Sequence, residues 1–156
     1  MGRSRFKFKE THYPYFITSS MVDGISLFAY PNIANIILDA LIFLRARPNS
    51  KLYGFVIMHN HIHLIVESPD ISSNLRTFKS FTARSIIDEL KKRDSTYLLK
   101  KLNALKHEHH KDSEYQVWQE GVHPKQVHTP EMMIQKLEYI HFNPVNAGFV
   151  DNPEHW

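Results

Sequence analysis

His61 and His63 stand two residues apart inside an apolar run, HIHLIVE over residues 61–67. A strand here puts both imidazoles on one face, with Cα atoms roughly 6.6–6.8 Å apart, and Ile62, Leu64 and Val66 on the other. Two imidazoles so placed can share one divalent cation. The plainer alternative is a pair of polar residues on an exposed sheet face. The apolar surroundings weigh against it, because such a strand gives up burial wherever it carries histidine. His59 is read as outside the pair, with a spare-ligand role as the alternative.

A second candidate chemistry lies near the C-terminus. Thr129 is placed to cap a helix with Pro130 at its first position. At about 100° per residue, Met133, Ile134, Leu137 and Ile140 form one apolar arc. Tyr139 falls nearly opposite the centre of that arc, Asn143 is four residues on and Lys136 three before. The expected non-core side thus offers a hydroxyl, an amide and an ammonium. Tyrosine can act as a nucleophile through a covalent intermediate; an ordinary exposed tyrosine is the alternative. His107, His109 and His110, in the polar stretch 106–113, read as a solvated loop that could pick up metal adventitiously. The positions of His12, His123, His128 and His155 suggest no site.

Elements to position these groups can be read along the chain. Residues 13–21 are aromatic and β-branched, a strand. A helix opens at Pro31 and carries Ile33, Ile36, Ile37, Ala40, Leu41 and Leu44 in one stripe until Pro48-Asn49 stop it. Residues 52–58 and 61–67 form a hairpin. Ser72 or Ser73 caps a helix to about Arg93, with Leu75, Phe78, Phe81, Ile86 and Leu90 inward. Tyr97, Leu98, Leu102 and Leu105 suggest a short further helix. A last strand is expected near Val117-Trp118. The final helix should end at Asn143-Pro144, since the residue before proline avoids helical angles. The order β-α-β-β-α-β-α is that of a ferredoxin-like, split βαβ α+β fold with an appended helix that carries the tyrosine.

Composition bounds the rest. The 156 residues suit a single domain spanning 1–156. With no cysteine, disulfide scaffolds, thiolate metal sites and cysteine nucleophiles are excluded. There is no phosphate-cradling glycine loop. The apolar stretch 33–44 is interrupted by Asn35 and Asp39 and is too short for a bilayer, and no signal peptide precedes it, so an intracellular protein without membrane contact is expected. The net charge is +3, unevenly placed. Residues 76–111 hold ten Lys/Arg against four Asp/Glu, whereas from Asp112 onward two lysines face seven acids. Arg3, Arg5, Lys7 and Lys9 add a basic N-terminus. Two basic segments suggest a polyanion partner, with a solvated helix face as the alternative.

Together the two chemical segments carry a resemblance. VIMHNHIHLIVE resembles the histidine–hydrophobe–histidine (HUH) motif of single-strand DNA nucleases, and LEYIHFNPVNAGFV is similar to the tyrosine-helix segment of single-tyrosine HUH transposases, most of all the REP-associated tyrosine transposases. The likeness runs from about Tyr13 to the C-terminus. It implies a metal site of His61, His63 and Asn143, a divalent ion such as Mg²⁺ or Mn²⁺, and Tyr139 as nucleophile. It also implies metal-dependent cleavage and strand transfer on hairpin-containing single-stranded DNA through a 5′-phosphotyrosine, in the cytoplasm of a bacterium and associated with the nucleoid. Arg76, Lys79, Arg84 and Lys136, with the N-terminal basic residues, are the candidates to grip DNA. Phe78, Phe81 and Trp118 are candidates for base stacking or for the core. Relatives form dimers that can share active sites, so a homodimer is one expectation and a monomer another. Two departures stand out. Asn146 occupies a position that is often basic, and many members continue beyond the final His155-Trp156. The rival readings are a catalytically inactive or domesticated DNA-binding protein, and a hydrolytic metalloenzyme with Glu67 as a further ligand.

Overall fold

The computed structural model describes residues 8–107 and 112–156. Four strands form one antiparallel sheet: β1 Tyr15–Ser20, β2 Lys51–Ile57, β3 His61–Glu67 and β4 Lys125–Gln126. Their spatial order is β2-β3-β1-β4, the order expected of a ferredoxin-like α+β fold. Between and after them run helices α1 Pro31–Arg45, α2 Ile71–Lys92, α3 Thr96–Ala104 and α4 Pro130–Asn146.

Alternation along the inner strands gives the sheet two working faces. Tyr15, Ile17, Ile62, Leu64 and Val66 point one way and pack beneath α1 and α2, whose Ile33, Ile37, Leu41, Leu44, Leu75, Phe78, Ile86 and Leu90 are all buried. Phe16, Val56, Ile65, Val127 and Met58 belong to a smaller core on the other face, closed by Ile140 of α4 with Met132 and Met133 alongside. Burying the larger core supplies most of the hydrophobic stabilisation, which scales with apolar area removed from water. The smaller core docks the helix that carries Tyr139.

Several boundaries differ from expectation, each for a physical reason. Helix α2 starts at Ile71, ahead of both serines, because Ile71 is buried and anchors the first turn; Asp70 stands at the cap without a side-chain hydrogen bond. Phe81 is 48% exposed rather than inward. Val117 and Trp118 make a single bridge, Met21 to Trp118, and the fourth strand is the two-residue β4 instead. The 117–118 segment is buried and also held by hydrogen bonds: Val22 N–H donates to Val117 O at 2.8 Å, Gln119 N–H to Ser20 O at 2.8 Å, and the Trp118 indole N–H to Thr82 Oγ1 at 3.0 Å.

Proline does not end α4. Pro144 lacks the N–H that the Ile140 carbonyl would take, yet the helix runs on to Asn146, and Ala147 N–H donates to Asn143 O at 2.9 Å. Burial of Pro144 holds that turn. The stop comes at Gly148, whose φ of 81° is left-handed and costs glycine little. Beyond it, Trp156 Nε1 donates to Ile57 O at 2.9 Å, and Phe149 and Trp156 pack on His59. The chain after α4 is thereby tied to the β2–β3 turn.

Candidate active site

Strand β3 lies between β1 and β2, with backbone pairing on both sides: Thr18 and Val56 both face His63, and Ser20 faces His61. That double pairing makes β3 a stiff platform. His63 is only 5% exposed. Its ring stacks on Phe16, centroids 5.2 Å apart and planes 19° apart. Its Nδ1 lies 2.8 Å from Thr18 Oγ1. Its Nε2 is buried with no hydrogen-bond partner. The half-buried His61 ring is 4.8 Å from that of His63, and its Nδ1 lies 2.7 Å from Asn60 Oδ1.

Burial, with the charge of His61 adding to it, pushes His63 down to about 4. Burial also holds His61 below the usual imidazole range. Both rings are therefore neutral near pH 7, the form that ligates metal. A buried ring nitrogen without a partner costs free energy. The pair thus fits a divalent cation: with the proton on Nδ1, each neutral ring has an unshared lone pair on Nε2 to donate. Among the described residues no three His, Cys, Asp or Glu gather into a metal cage.

Helix α4 packs on the histidine face, but not by the arc expected. Its sheet-facing side includes Met132, Met133, Lys136, Ile140, Asn143 and Pro144, with Leu137, 36% exposed, at the margin over Gly54 of β2, while Ile134 is 58% exposed. The helix is turned by roughly a quarter-turn from the expected orientation, because the surface below it contains Phe16 and His63 as well as aliphatics. Tyr139 consequently leans over the site instead of facing away. Its ring meets His63 edge-on at 5.3 Å and Phe16 at 5.7 Å. The ring is 47% exposed, open to a substrate. Lys136 Nζ sits 5.0 Å from the Phe16 ring centre, an attractive cation–π contact on the same side. Asn143 is half-buried, one turn beyond Tyr139.

Other candidates are not gathered here. Helix α2 covers the opposite sheet face, and its exposed Arg76 and Arg84 border a shallow hollow with Thr77, Ser80 and Phe81. Lys79 is turned inward: its ammonium donates to Gln119 O at 3.0 Å and Gly121 O at 2.9 Å. It acts as a clamp on that loop. Phe78 and Trp118 are core residues. Glu67 accepts from Tyr53 Oη at 2.6 Å and, among the described residues, does not gather with His61 and His63 into a three-ligand metal group. His59 belongs to the aromatic cluster with Phe149 and Trp156. His107 donates its backbone N–H to Gln116 Oε1 at 3.0 Å. Lys9 is exposed; Arg3, Arg5, Lys7, His109 and His110 lie outside the described residues. Thr18, Phe16 and Asn60 also contact the histidine pair and were not expected from the sequence. Only Asn60 carried a signal, its adjacency to His61.

No family model and no curated protein matches the chain. Solved structures do. A REP-associated tyrosine transposase bound to a REP hairpin superimposes with a TM-score of 0.72 over 100% of this chain and 80% of its own, at 18% identity. The chain has the fold of a REP-associated tyrosine transposase. A protein described as a transposase from Deinococcus radiodurans R1 superimposes with a TM-score of 0.52 over 90% of this chain and 95% of its own, at 16% identity. On this transposase fold, two neutral imidazoles and a phenol are brought to one sheet face, a combination suited to metal-assisted attack by an oxygen nucleophile. Among the described residues no helix is long and apolar enough to cross a membrane.

Proposed function

We propose that the protein is a metal-dependent endonuclease and strand transferase for single-stranded, hairpin-containing DNA, with Tyr139 as nucleophile. The observation that carries this reading is the edge-on approach of the Tyr139 ring to His63, 5.3 Å between centroids. The transposase fold supports it. His61 and His63, with Asn143, would hold a Mg²⁺ or Mn²⁺ ion. Such an ion, when bound, supplies Lewis-acid polarisation of the scissile phosphate.

The chain's own residues do the rest. Phe16 and Thr18 hold His63 in place. Tyr139 Oη attacks phosphorus in line, forming the P–Oη bond as the P–O3′ bond breaks. The phenol gives up one proton and the departing 3′-oxygen gains one, so the exchange needs no outside reactant. The products are a 5′-phosphotyrosine and a free 3′-hydroxyl. Because one phosphodiester replaces another, the same site can rejoin the strand to a different 3′-end. The Lys136 ammonium, over Phe16, favours phosphate on this face of the sheet.

The test is incubation of the protein with a 3′-labelled single-stranded hairpin oligonucleotide and Mg²⁺ or Mn²⁺, followed by a denaturing gel. A labelled adduct is expected, falling by at least about 100-fold in Tyr139→Phe. Cleavage that survives Tyr139→Phe overturns the nucleophile. The binding-only alternative draws support from the Arg76–Arg84 surface, which lies across the sheet from the histidines; it predicts binding without an adduct in the unaltered chain.

A further inference from the structure

Asn60 precedes His61 in the β2–β3 turn, and its side chain bridges two groups. Asn60 Nδ2 donates to Gly24 O at 3.3 Å. A backbone carbonyl can only accept, so this contact orients the amide and turns Oδ1 the other way, to 2.7 Å from His61 Nδ1. An amide oxygen can only accept as well. His61 Nδ1 must therefore carry the proton, which leaves Nε2 with a lone pair.

The anchor is itself fixed. Gly24 ends a short 3-10 turn, residues Val22–Gly24, with a φ of +65° that suits glycine. The backbones of the two segments are bolted together, since Met21 N–H donates to Asn60 O at 2.8 Å. Phe28 N–H also donates to His59 O at 2.9 Å. The amide thus hangs between a rigid carbonyl and one imidazole.

We propose that Asn60 is a positioning residue that locks His61 in the Nδ1–H tautomer and so keeps its Nε2 lone pair available to a divalent cation. The role in metal binding rests on the metal-site reading above. Thr18 Oγ1, 2.8 Å from His63 Nδ1, can accept in the same way and bare His63 Nε2. Each histidine would then have its own oxygen acceptor at Nδ1, the arrangement by which outer partners orient metal-ligating imidazoles. Without such an acceptor a neutral imidazole exchanges between tautomers, and the Nε2–H form cannot ligate through that nitrogen.

The experiment uses the full chain, ¹⁵N-labelled in histidine and free of metal, at a pH where both rings are neutral. Long-range ¹H–¹⁵N correlation reads the tautomer directly. His61 is expected as Nδ1–H in the unaltered protein, as a mixture in Asn60→Ala, and as Nδ1–H again in Asn60→Asp, whose carboxylate also accepts. In parallel, Mn²⁺ titration is expected to show affinity about 10–100-fold weaker in Asn60→Ala, with Asn60→Asp retaining it. A merely structural asparagine would leave the tautomer unmoved. An Nε2–H tautomer in the unaltered chain, or an unchanged tautomer in Asn60→Ala, overturns the role of Asn60. A chain that binds no Mn²⁺ overturns the metal reading of the pair while the tautomer, measured without metal, still decides whether Asn60 positions His61.

Discussion

At the scale of single residues, His63 makes the fold sensitive to acid. It titrates near 4 in the folded protein, against 6.5 for an ordinary imidazole such as that of the unfolded chain. Between those values the unfolded chain binds the extra proton, so stability is complete above pH 6.5, falls as pH drops toward 4, and changes no further through this group below that. The loss is up to about 3 kcal/mol. Urea unfolding of the metal-free protein at a series of pH values should show this slope, and His63→Gln should flatten it. The histidine pair itself was legible in the sequence, because alternation along a strand needs only local spacing. Phe16 and Thr18 were not, because their place beside His63 follows from the register of β1 on β3.

At the scale of elements, α4 governs whether the phenol reaches the histidines. Thr129 Oγ1 accepts from Met132 N–H at 3.2 Å and caps this helix. Thr129→Ala should lower stability by about 1 kcal/mol, and Thr129→Ser should restore it, both read by denaturant unfolding. Close approach is the other control. A Cβ added at Gly54 of β2 would lie 2.9 Å from Leu137 Cδ2. Leu137 is partly exposed and its tip can rotate, so Gly54→Ala should be mild. Gly54→Val should cost about 1–3 kcal/mol and reduce adduct formation further than its stability loss explains, because it lifts the helix that carries Tyr139. The cap and first proline of α4 were legible as local backbone chemistry. Its facing direction and its run through Pro144 were not. An apolar arc says what can be buried, whereas the surface below the helix decides which side is.

At the scale of the whole molecule, the sheet separates two surfaces. Histidines and phenol lie on the α4 side, and Arg76, Arg84 and Phe81 on the outer side of α2. Replacing Arg76 and Arg84 by alanine should weaken binding to single-stranded DNA and reduce the slope of log affinity against log salt by about 2 at most. Adduct formation at saturating DNA should be unchanged, as measured by titration at several salt concentrations and by single-turnover gels. A fall at saturation would mean that this surface acts in the chemical step. Lys79 shows why charge counts alone could not sort these roles. Its ammonium belongs to the same basic helix, yet two loop carbonyls hold it inward. The sequence by itself determined the order of elements, the strand of the two histidines and the helix of Tyr139, because periodicity, caps and turn residues act over a few positions. Tertiary structure alone decided that α4 packs on the histidine face, that Tyr139 leans over His63, and that the arginines of α2 lie behind the sheet. Those outcomes depend on register, on helix rotation and on which residues meet across the sheet, and each of these is set by contacts between segments far apart in the chain.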